Sequence, residues 1–495
     1  NATIIGSKPG EFIADRNNIT RVWMDHGVWP CITTKLYLDE TGDYDLLWKE
    51  APYFLDKQVM RGEATDEDWE AKAEKKHTGT VLEHLLLQNL TAFYDVGEHN
   101  IIRLRGADWN DALDMAKEKG ESVAFTNAYA QNLEDLAGLL RIAKERGINS
   151  IVVAERMIPL FNMGADLYDS VEKKHELLQS FLENCVTETA GETKQAALGI
   201  EECIASLQEK ADWMRGHIRT QEWVEDGAGH GWFNSYYDNH GNPVEGNHDG
   251  DIRMMLTGQV FAIMDKTADE NQAKAIADSA DDYLYDEQAG GYRLNTNFHE
   301  VKMDLGRMFG FAYGEKENGA VFSHMTVMYA YALYSRGLVK EGYKALHTLY
   351  EQASDEKRGK MYPGIPEYFE QGGKGVYQYL TGAASWYLYT VLSQMYGIGG
   401  CQGDLVLEPK LLADQFNEDG DATATFTFAG KKLQVTYHNA VKAEYGSYRI
   451  GSVYRKGQHT GTIEENGKNC RIDRKEILSW GQDEQQLIVE LVPCE

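Results

Sequence analysis

The chain has 495 residues, of which 42% are hydrophobic and 11% aromatic, and it carries a formal net charge of −29 at pH 7. A chain of this length is predicted to fold as two or three domains with ample apolar material for their cores. The acidic balance excludes nucleic acid and anionic lipid as partners, because binding either of them needs clustered Lys and Arg. The sequence contains no run of about 18 uncharged apolar residues, so no membrane-spanning helix is predicted.

Helical periodicity dominates the chain from Val22 to Tyr396. Apolar residues recur there at three- and four-residue steps, which is the pattern of amphipathic helices. Polar, glycine-rich segments separate these runs. The predicted helices cover 33–38, 82–93, 125–140, 168–187, 196–218, 256–264, 321–334, 343–352 and 383–395.

The helical pattern ends at the glycine-rich segment 397–404, after which hydrophobicity alternates every second residue. The clearest alternation sets three threonines against three apolar residues: Thr423, Thr425 and Thr427 against Ala424, Phe426 and Phe428. We therefore predict a mainly α fold, with an (α/α)6 barrel, a toroid of helical hairpins, in 1–399 and a small β-sandwich in 400–495. Periodicity alone leaves an α-solenoid open as the alternative to the barrel.

Cysteine usage bears on the compartment and on metal binding. The six cysteines are widely scattered and include no CxxC pair: Cys31, Cys185, Cys203, Cys401, Cys470 and Cys494. This spacing favours buried thiols over a disulfide framework or a zinc site. We therefore expect a cytoplasmic location.

The segment GADWNDALD, residues 106–114, places two acids around a large aromatic side chain. It is predicted to be a loop or the start of a helix at Ala112. In a structural interpretation, Asp108 or Asp111 caps that helix and Trp109 anchors the core. In a functional interpretation, Trp109 offers a flat face to a sugar, and an acid beside it and a second carboxylate is held protonated, as a general acid requires.

Three further clusters are rich in side chains that bind sugars or anions. The segment 230–251 combines Trp, Phe and Tyr with Asn and Asp, which suits either hydroxyl binding or a structural turn. The sequence KENGAVFSH covers 316–324. In GKGVYQYLTGAASW, the Thr381 hydroxyl and the Gly382 amide precede a predicted helix, and such a helix start can hold an anion. Neither an EF-hand calcium loop nor a nucleotide P-loop matches these clusters.

These motifs together carry a resemblance. DWND, HGWFNSYYDNHGNPV, ENGAVFSH and YLTGAASWYL resemble glycoside hydrolase family 94, the inverting β-glucoside phosphorylases that include cellobiose and chitobiose phosphorylases. The resemblance runs in order from about Asp25 to the C-terminus. Within the family, HTGTVLEHLLLQNLTAFYDVGEHN and GADWNDALDMA are most similar to 1,2-β-oligoglucan phosphorylases.

The resemblance implies a role for each matching residue. Asp111, the second acid of DWND, matches the family's general acid. The implied substrate-binding residues are Trp109, Asp108, Asn110 and Glu317. The implied phosphate-binding residues are His324, Thr381 and Gly382.

The implied reaction is phosphorolysis of a β-linked gluco-oligosaccharide, best matched by β-1,2-glucans, with release of α-glucose 1-phosphate. Inorganic phosphate is already an anionic nucleophile, so one acid suffices, and neither a metal nor an organic cofactor is expected beside this co-substrate. One alternative is an inverting (α/α)-barrel hydrolase that uses water, with Asp25 or Glu317 as base. A glycan-binding helical toroid without activity is the other alternative, and homodimer formation is left open.

Two departures from the family pattern qualify the resemblance. The family's Arg- and Asp-bearing stretch, which resembles RDxxQD, is missing before Asp25. We therefore expect the chain to be the C-terminal portion of the functional protein, without the first barrel helices, and to act together with an upstream segment. Arg307 stands where cellobiose phosphorylases have an acidic residue, which argues against a cellobiose acceptor.

Overall fold

The structure is a computed structural model that describes residues 23–52, 78–188, 194–361, 364–378 and 382–494. These residues form two compact units. The first unit takes the described residues within Asn1–Thr33, Asp45–Tyr285 and Arg293–Ala320, and the second takes those within Thr34–Tyr44, Asp286–Tyr292 and Val321–Glu495. The domain boundary predicted at residue 399 lies inside the second unit and stays a prediction.

Twelve of the thirteen described α-helices lie between Val28 and Thr390. The α-helices α1 to α13 are Val28–Thr41, Val81–Tyr94, Val123–Glu145, Ala165–Tyr168, Val171–Glu188, Ile200–Gln221, Leu256–Met264, Glu270–Tyr283, Ser323–Ser335, Val339–Ser354, Glu356–Gly359, Gly382–Thr390 and Arg474–Ser479. A π-helical turn, Val391–Met395, continues α12. Short 3-10 turns are Met24–Gly27, Tyr44–Trp48, Glu155–Phe161, Arg307–Gly310 and Ala413–Gln415.

Strands occur as short pairs among the helices and as longer sheets near the C-terminus. Strands β1 to β11 are Glu50–Pro52, Thr78–Thr80, Glu121–Ser122, Ser150–Ala154, Gln195–Gly199, Trp223–Glu225, Gly231–Phe233, Tyr236–Tyr237, Gly246–His248, Asp251–Arg253 and Tyr285–Asp286. Strands β12 to β24 are Gly291–Tyr292, Val321–Phe322, Tyr368–Phe369, Gly375–Val376, Ile398–Cys401, Asp404–Leu407, Asp421–Phe428, Lys431–His438, Tyr448–Arg455, Gln458–His459, Thr462–Ile463, Cys470–Ile472 and Gln485–Pro493.

Side-chain caps fix where several helices begin. The Thr80 hydroxyl accepts the backbone N–H of Glu83 at 3.1 Å at the start of α2. The hydroxyl of Ser122 does the same for Phe125 at the start of α3, also at 3.1 Å. Each cap satisfies a donor that the helix itself leaves without an intrahelical partner.

The structure changes several of the predicted helix limits. The predicted helix 256–264 is confirmed as α7. The start of the predicted helix 196–218 is wrong, because 195–199 pair with β4 as strand β5 before α6 begins. Helix α8 was not predicted, because its apolar face is built largely from alanines. A capping box between Asp269 and Gln272 fixes its start. Of the two forms predicted for DWND, a loop or a helix start at Ala112, the structure shows the loop, since 111–120 form turns and the next helix is α3.

The C-terminal strands form two sheets that share one hydrophobic core. One sheet has the order β16-β17-β23-β22 and the other β18-β19-β24-β20-β21. Leu405 and Ile472 from the first sheet and Val435 and Leu487 from the second are fully buried members of that core. The predicted alternation is confirmed on β18, where Thr423, Thr425 and Thr427 are exposed.

The described residues thus carry most of their helices before Thr390 and two sheets near the C-terminus, the order of helical and β parts that the sequence predicts. Closure of the helices into an (α/α)6 barrel stays a prediction. Within the described ranges, no helix combines the length and the apolar character needed to cross a membrane.

Candidate active site

The DWND loop, defined here as residues 106–115, belongs to the first compact unit. Its start is tied to the 3-10 turn Met24–Gly27, because Trp23 forms an antiparallel bridge with Arg105 and the Met24 N–H donates to the Ala107 carbonyl at 2.8 Å. Arg105 and Ala107 adopt positive φ angles of 56° and 154°, which non-glycine residues rarely take. The backbone thus turns sharply just before Asp108.

Asp108 points into the interior and is 0% exposed. One carboxylate oxygen accepts the backbone N–H of Asn110 at 3.0 Å, and the other accepts the hydroxyl of Ser122 at 2.9 Å. Since Ser122 also caps α3, Asp108 connects the loop to the first turn of that helix. Burial and these two hydrogen bonds therefore give the Asp108 side chain a structural role in the loop.

Burial raises the pKa of Asp108 to about 7, and the negative charge of Asp25 contributes in the same direction. Hydrogen bonds from Asn110 and Ser122 favour the charged form but do not outweigh burial. The carboxyl held protonated beside a second carboxylate is therefore Asp108, with Asp25 as its acidic neighbour. The sequence predicts a carboxyl held protonated beside a second carboxylate for the general acid, whereas the structure gives that environment to the buried Asp108.

The two residues between the acids differ in exposure. Asn110 is 2% exposed, its amide lies 3.5 Å from the sulfur of Met308, and its side-chain oxygen accepts the Ala112 N–H at 3.2 Å. Trp109 is half-buried. Asn110 therefore stabilises the loop, whereas Trp109 keeps part of its ring surface available.

Asp111 is 38% exposed and pairs with Arg307, whose Nη2 lies 3.2 Å from its Oδ2. Arg307 Nη1 donates to the backbone carbonyl of Asp111 at 2.8 Å and to Oδ2 of Asp114 at 2.6 Å. The backbone N–H of Arg307 also donates to Asp114 Oδ1 at 3.2 Å. The residue noted in sequence as a departure from the family thus lies directly beside the predicted general acid.

Asp25 and Glu317, the two acids considered as the base of a hydrolase, differ in their exposure to solvent. Asp25 is 4% exposed, and its Oδ2 accepts the indole N–H of Trp29 at 2.7 Å. Glu317 is half-buried and lies in a tight turn in which the Asn318 N–H donates to the Glu315 carbonyl at 3.0 Å. A catalytic base must reach a water molecule, so the burial of Asp25 argues against that role.

His324 and Gly382 come together within the second unit. His324 stands in the first turn of α9, and Gly382 is the first residue of α12. A Cβ placed on Gly382 would lie 2.6 Å from Cε1 of His324, so this approach requires a glycine. Burial lowers the pKa of His324 to about 4, which makes the imidazole neutral at neutral pH. Thr381, the third residue of this prediction, lies outside the described residues.

The aromatic side chains of the segment 230–251 are core residues. Trp232, Phe233 and Tyr236 are each 0% exposed and Tyr237 is 7% exposed. Their side chains therefore favour the structural interpretation of this segment over hydroxyl binding.

Sequence reasoning missed the contacts that organise the DWND loop. Ser122 lies in none of the motifs, Asp114 ends the segment GADWNDALD without an assigned role, and Arg307 was noted only as a departure from the family. The Arg307 to Asp111 contact joins positions 196 residues apart, which no local pattern reports. Among the residues that the structure describes, no group of three or more His, Cys, Asp or Glu side chains is arranged to hold a metal.

The chain is similar to a known protein family and to several curated proteins. The model of the glycosyl hydrolase 94 superfamily catalytic domain matches residues 10–174 and 195–397. Several curated relatives match at low identity. Solabiose phosphorylase of Paenibacillus borealis is 24% identical over 76% of this chain, and cellobionic acid phosphorylase of Neurospora crassa is 22% identical over 78%. Cyclic beta-(1,2)-glucan synthase NdvB of Rhizobium meliloti is 20% identical over 78% of this chain and 12% of its own length. The chain spans 40% of the length of each of the first two relatives.

Proposed function

Because the chain belongs to the glycosyl hydrolase 94 superfamily and carries its catalytic domain, we propose that it catalyses inverting phosphorolysis of β-linked gluco-oligosaccharides. The products are α-glucose 1-phosphate and a shortened oligosaccharide. The names of the two phosphorylase relatives support the reaction type.

The observation that carries the assignment of the acid is the contrast between the two carboxylates of DWND. Asp108 is fully buried and bonded to Ser122, whereas the Asp111 side chain is 38% exposed beside the half-buried Trp109. A general acid must come within hydrogen-bond reach of the leaving oxygen, which favours Asp111. Asp108 then holds the loop that presents it.

The proposed step needs only one acid from the protein. A phosphate oxygen attacks the anomeric carbon from the face opposite the glycosidic oxygen, and the bond between that carbon and the glycosidic oxygen breaks. Asp111 transfers its proton to the departing oxygen and becomes a carboxylate. Attack from the opposite face inverts a β-linkage to an α-phosphate.

The proposed phosphate site uses His324, Thr381 and Gly382. The close approach of Gly382 to the His324 ring and the start of α12 at Gly382 support it. Backbone N–H groups at a helix start and a neutral imidazole N–H are suitable donors to an anion.

We also propose β-1,2-glucans as the preferred substrate. The similarity to a protein named for cyclic β-(1,2)-glucan and the motifs in 77–116 support this choice. Arg307 beside Asp111 argues against a cellobiose acceptor.

The test is chromatographic detection of glucose 1-phosphate from β-1,2-, β-1,3- and β-1,4-gluco-oligosaccharides with and without inorganic phosphate, in the full-length protein. We expect phosphate-dependent release from the β-1,2 substrate. Release of free glucose at equal rates without phosphate would assign a hydrolase instead. Binding of the oligosaccharides without turnover by either nucleophile would support the glycan-binding alternative.

A further inference from the structure

Arg307 is held against the DWND loop by its backbone neighbours. The N–H of Met308 donates to the Ala112 carbonyl at 3.2 Å, and the N–H of Met115 donates to the Leu305 carbonyl at 3.2 Å. A Cβ on Gly306 would lie 2.1 Å from the Ala112 oxygen, so the two segments meet at backbone distance. The position of the guanidinium relative to Asp111 is therefore set by the backbone and not only by its flexible side chain.

The guanidinium of Arg307 is shared between two carboxylates. Asp111 is bound through Nη2 at 3.2 Å, and Asp114 is bound through Nη1 at 2.6 Å and the backbone N–H at 3.2 Å. Asp114 is 28% exposed and uses both of its oxygens in this contact. The shorter distance and the second bond make Asp114 the more firmly attached partner.

In the proposed mechanism, Arg307 lies beside the acceptor sugar. Asp111 must face the glycosidic oxygen, so Arg307 lies next to the sugar that departs with that oxygen. In the reactive state Asp111 carries a proton and is uncharged. Arg307 and Asp114 then remain as a pair whose charges cancel.

We propose, on the basis of the proposed function, that Asp114 is a positioning residue that neutralises Arg307 and so makes the acceptor site prefer an uncharged sugar over one bearing a carboxylate. An arginine without such a partner offers a planar fork of donors that suits a carboxylate. With Asp114 in place, an incoming carboxylate has to displace it from two hydrogen bonds. A neutral sugar needs only the donors that remain.

The test uses the reverse reaction of the full-length protein, with α-glucose 1-phosphate as donor. Glucose and glucuronate are the acceptors, since they differ only in the oxidation state of C6. We expect wild type to prefer glucose, and Asp114→Asn to raise the glucuronate-to-glucose ratio of kcat/KM by about tenfold or more, the effect of one charged hydrogen bond. Asp114→Glu keeps the charge and should restore a ratio close to that of wild type.

Asp304→Asn is the matched control. It removes the same charge from the segment that carries Arg307, but Asp304 pairs with Lys302 at 3.2 Å. We expect this variant to keep the wild-type ratio. An equal rise in Asp304→Asn would attribute the change to net charge and overturn the inference.

Some outcomes overturn the role of Asp114 and leave the proposed function standing, whereas another overturns the proposed function. A ratio in Asp114→Asn within twofold of wild type, or a wild-type preference for glucuronate, overturns the role of Asp114 while phosphorolysis stands. Absence of phosphate-dependent release of glucose 1-phosphate by wild type from every gluco-oligosaccharide overturns the proposed function itself. Should Asp114→Asn not fold, product inhibition of wild type decides: stronger inhibition by glucuronate than by glucose contradicts the inference, and weaker inhibition supports it.

Discussion

Gly382 lies so close to His324 that a Cβ at its position would be 2.6 Å from the Cε1 atom of the imidazole. Real side chains essentially never approach so closely, so any larger residue must displace the ring. Both residues stand at helix starts, in α9 and α12. The pair offers a way to disturb the proposed phosphate site without altering a sugar contact.

The first prediction is that Gly382→Ala impairs phosphate use selectively. Displacement of His324 should raise the KM for phosphate by about tenfold, which corresponds to 1.4 kcal/mol. The KM for the glucan should change less than twofold. Gly372→Ala is the control, because a Cβ there meets nothing within 4 Å. Equal increases of both constants in Gly382→Ala would assign the pair a structural role only.

A second prediction concerns the neutral state of His324. Burial lowers its pKa to about 4, below the ordinary value of 6.5. The unfolded chain therefore binds a proton between pH 6.5 and 4 that the folded chain does not, so this contribution to stability is present above pH 6.5 and is lost as the pH falls towards 4.

Replacing His324 with Gln removes the group that titrates. Urea unfolding at pH 7 and pH 4.5 should show that wild type loses more free energy of unfolding on acidification than His324→Gln does. The difference should be at most about 3 kcal/mol, from 1.36 kcal/mol per pKa unit. Identical losses in the two proteins would contradict burial of a neutral imidazole.

Much of the local structure could be predicted because its signals are local. The run 256–264 has apolar residues on all sides and forms helix α7 over the predicted limits. The alternation of Thr423 and its neighbours likewise predicted strand β18. The alanines and acids of α8 give little apolar periodicity, so that helix escaped the same reasoning.

The contacts of the DWND loop could not be predicted from the sequence. DWND is predicted as a loop or a helix start, and its two acids look equivalent in sequence. Their difference comes from residues outside the motif: Ser122 and Tyr236 lie beside Asp108, and Arg307 faces Asp111. Burial and pairing are tertiary properties, so periodicity and spacing do not report them.

The third prediction tests Asp111 as general acid. Asp111→Asn should lower kcat by about 10²- to 10⁴-fold, the range typical of general acids, while circular dichroism and the unfolding midpoint stay close to wild type. The fold should persist because the side chain is 38% exposed. Retention of more than a tenth of wild-type activity would exclude Asp111 from that role.

The last prediction separates Asp108 from Asp111 by its response to pH. The pKa of Asp108 is raised to about 7 from an ordinary value of 3.8, so between these values the folded chain binds a proton that the unfolded chain lacks. Its contribution to stability is therefore present below about pH 4 and is lost as the pH rises through 7. Asp25 and Tyr236 are the titratable groups that face it.

Asp108→Asn replaces this carboxyl with an uncharged amide that can still accept the Asn110 N–H. The free energy of unfolding of the variant, relative to that of wild type, should therefore increase from pH 5 to pH 8, because only wild type loses the stabilising contribution of the protonated carboxyl. Its kcat should fall less than that of Asp111→Asn, since Asp108 is buried and supports the loop without meeting the substrate. Parallel pH dependences of stability in the two proteins would show that Asp108 does not retain a proton in the folded state, and a kcat as low as that of Asp111→Asn would give it a direct part in the reaction.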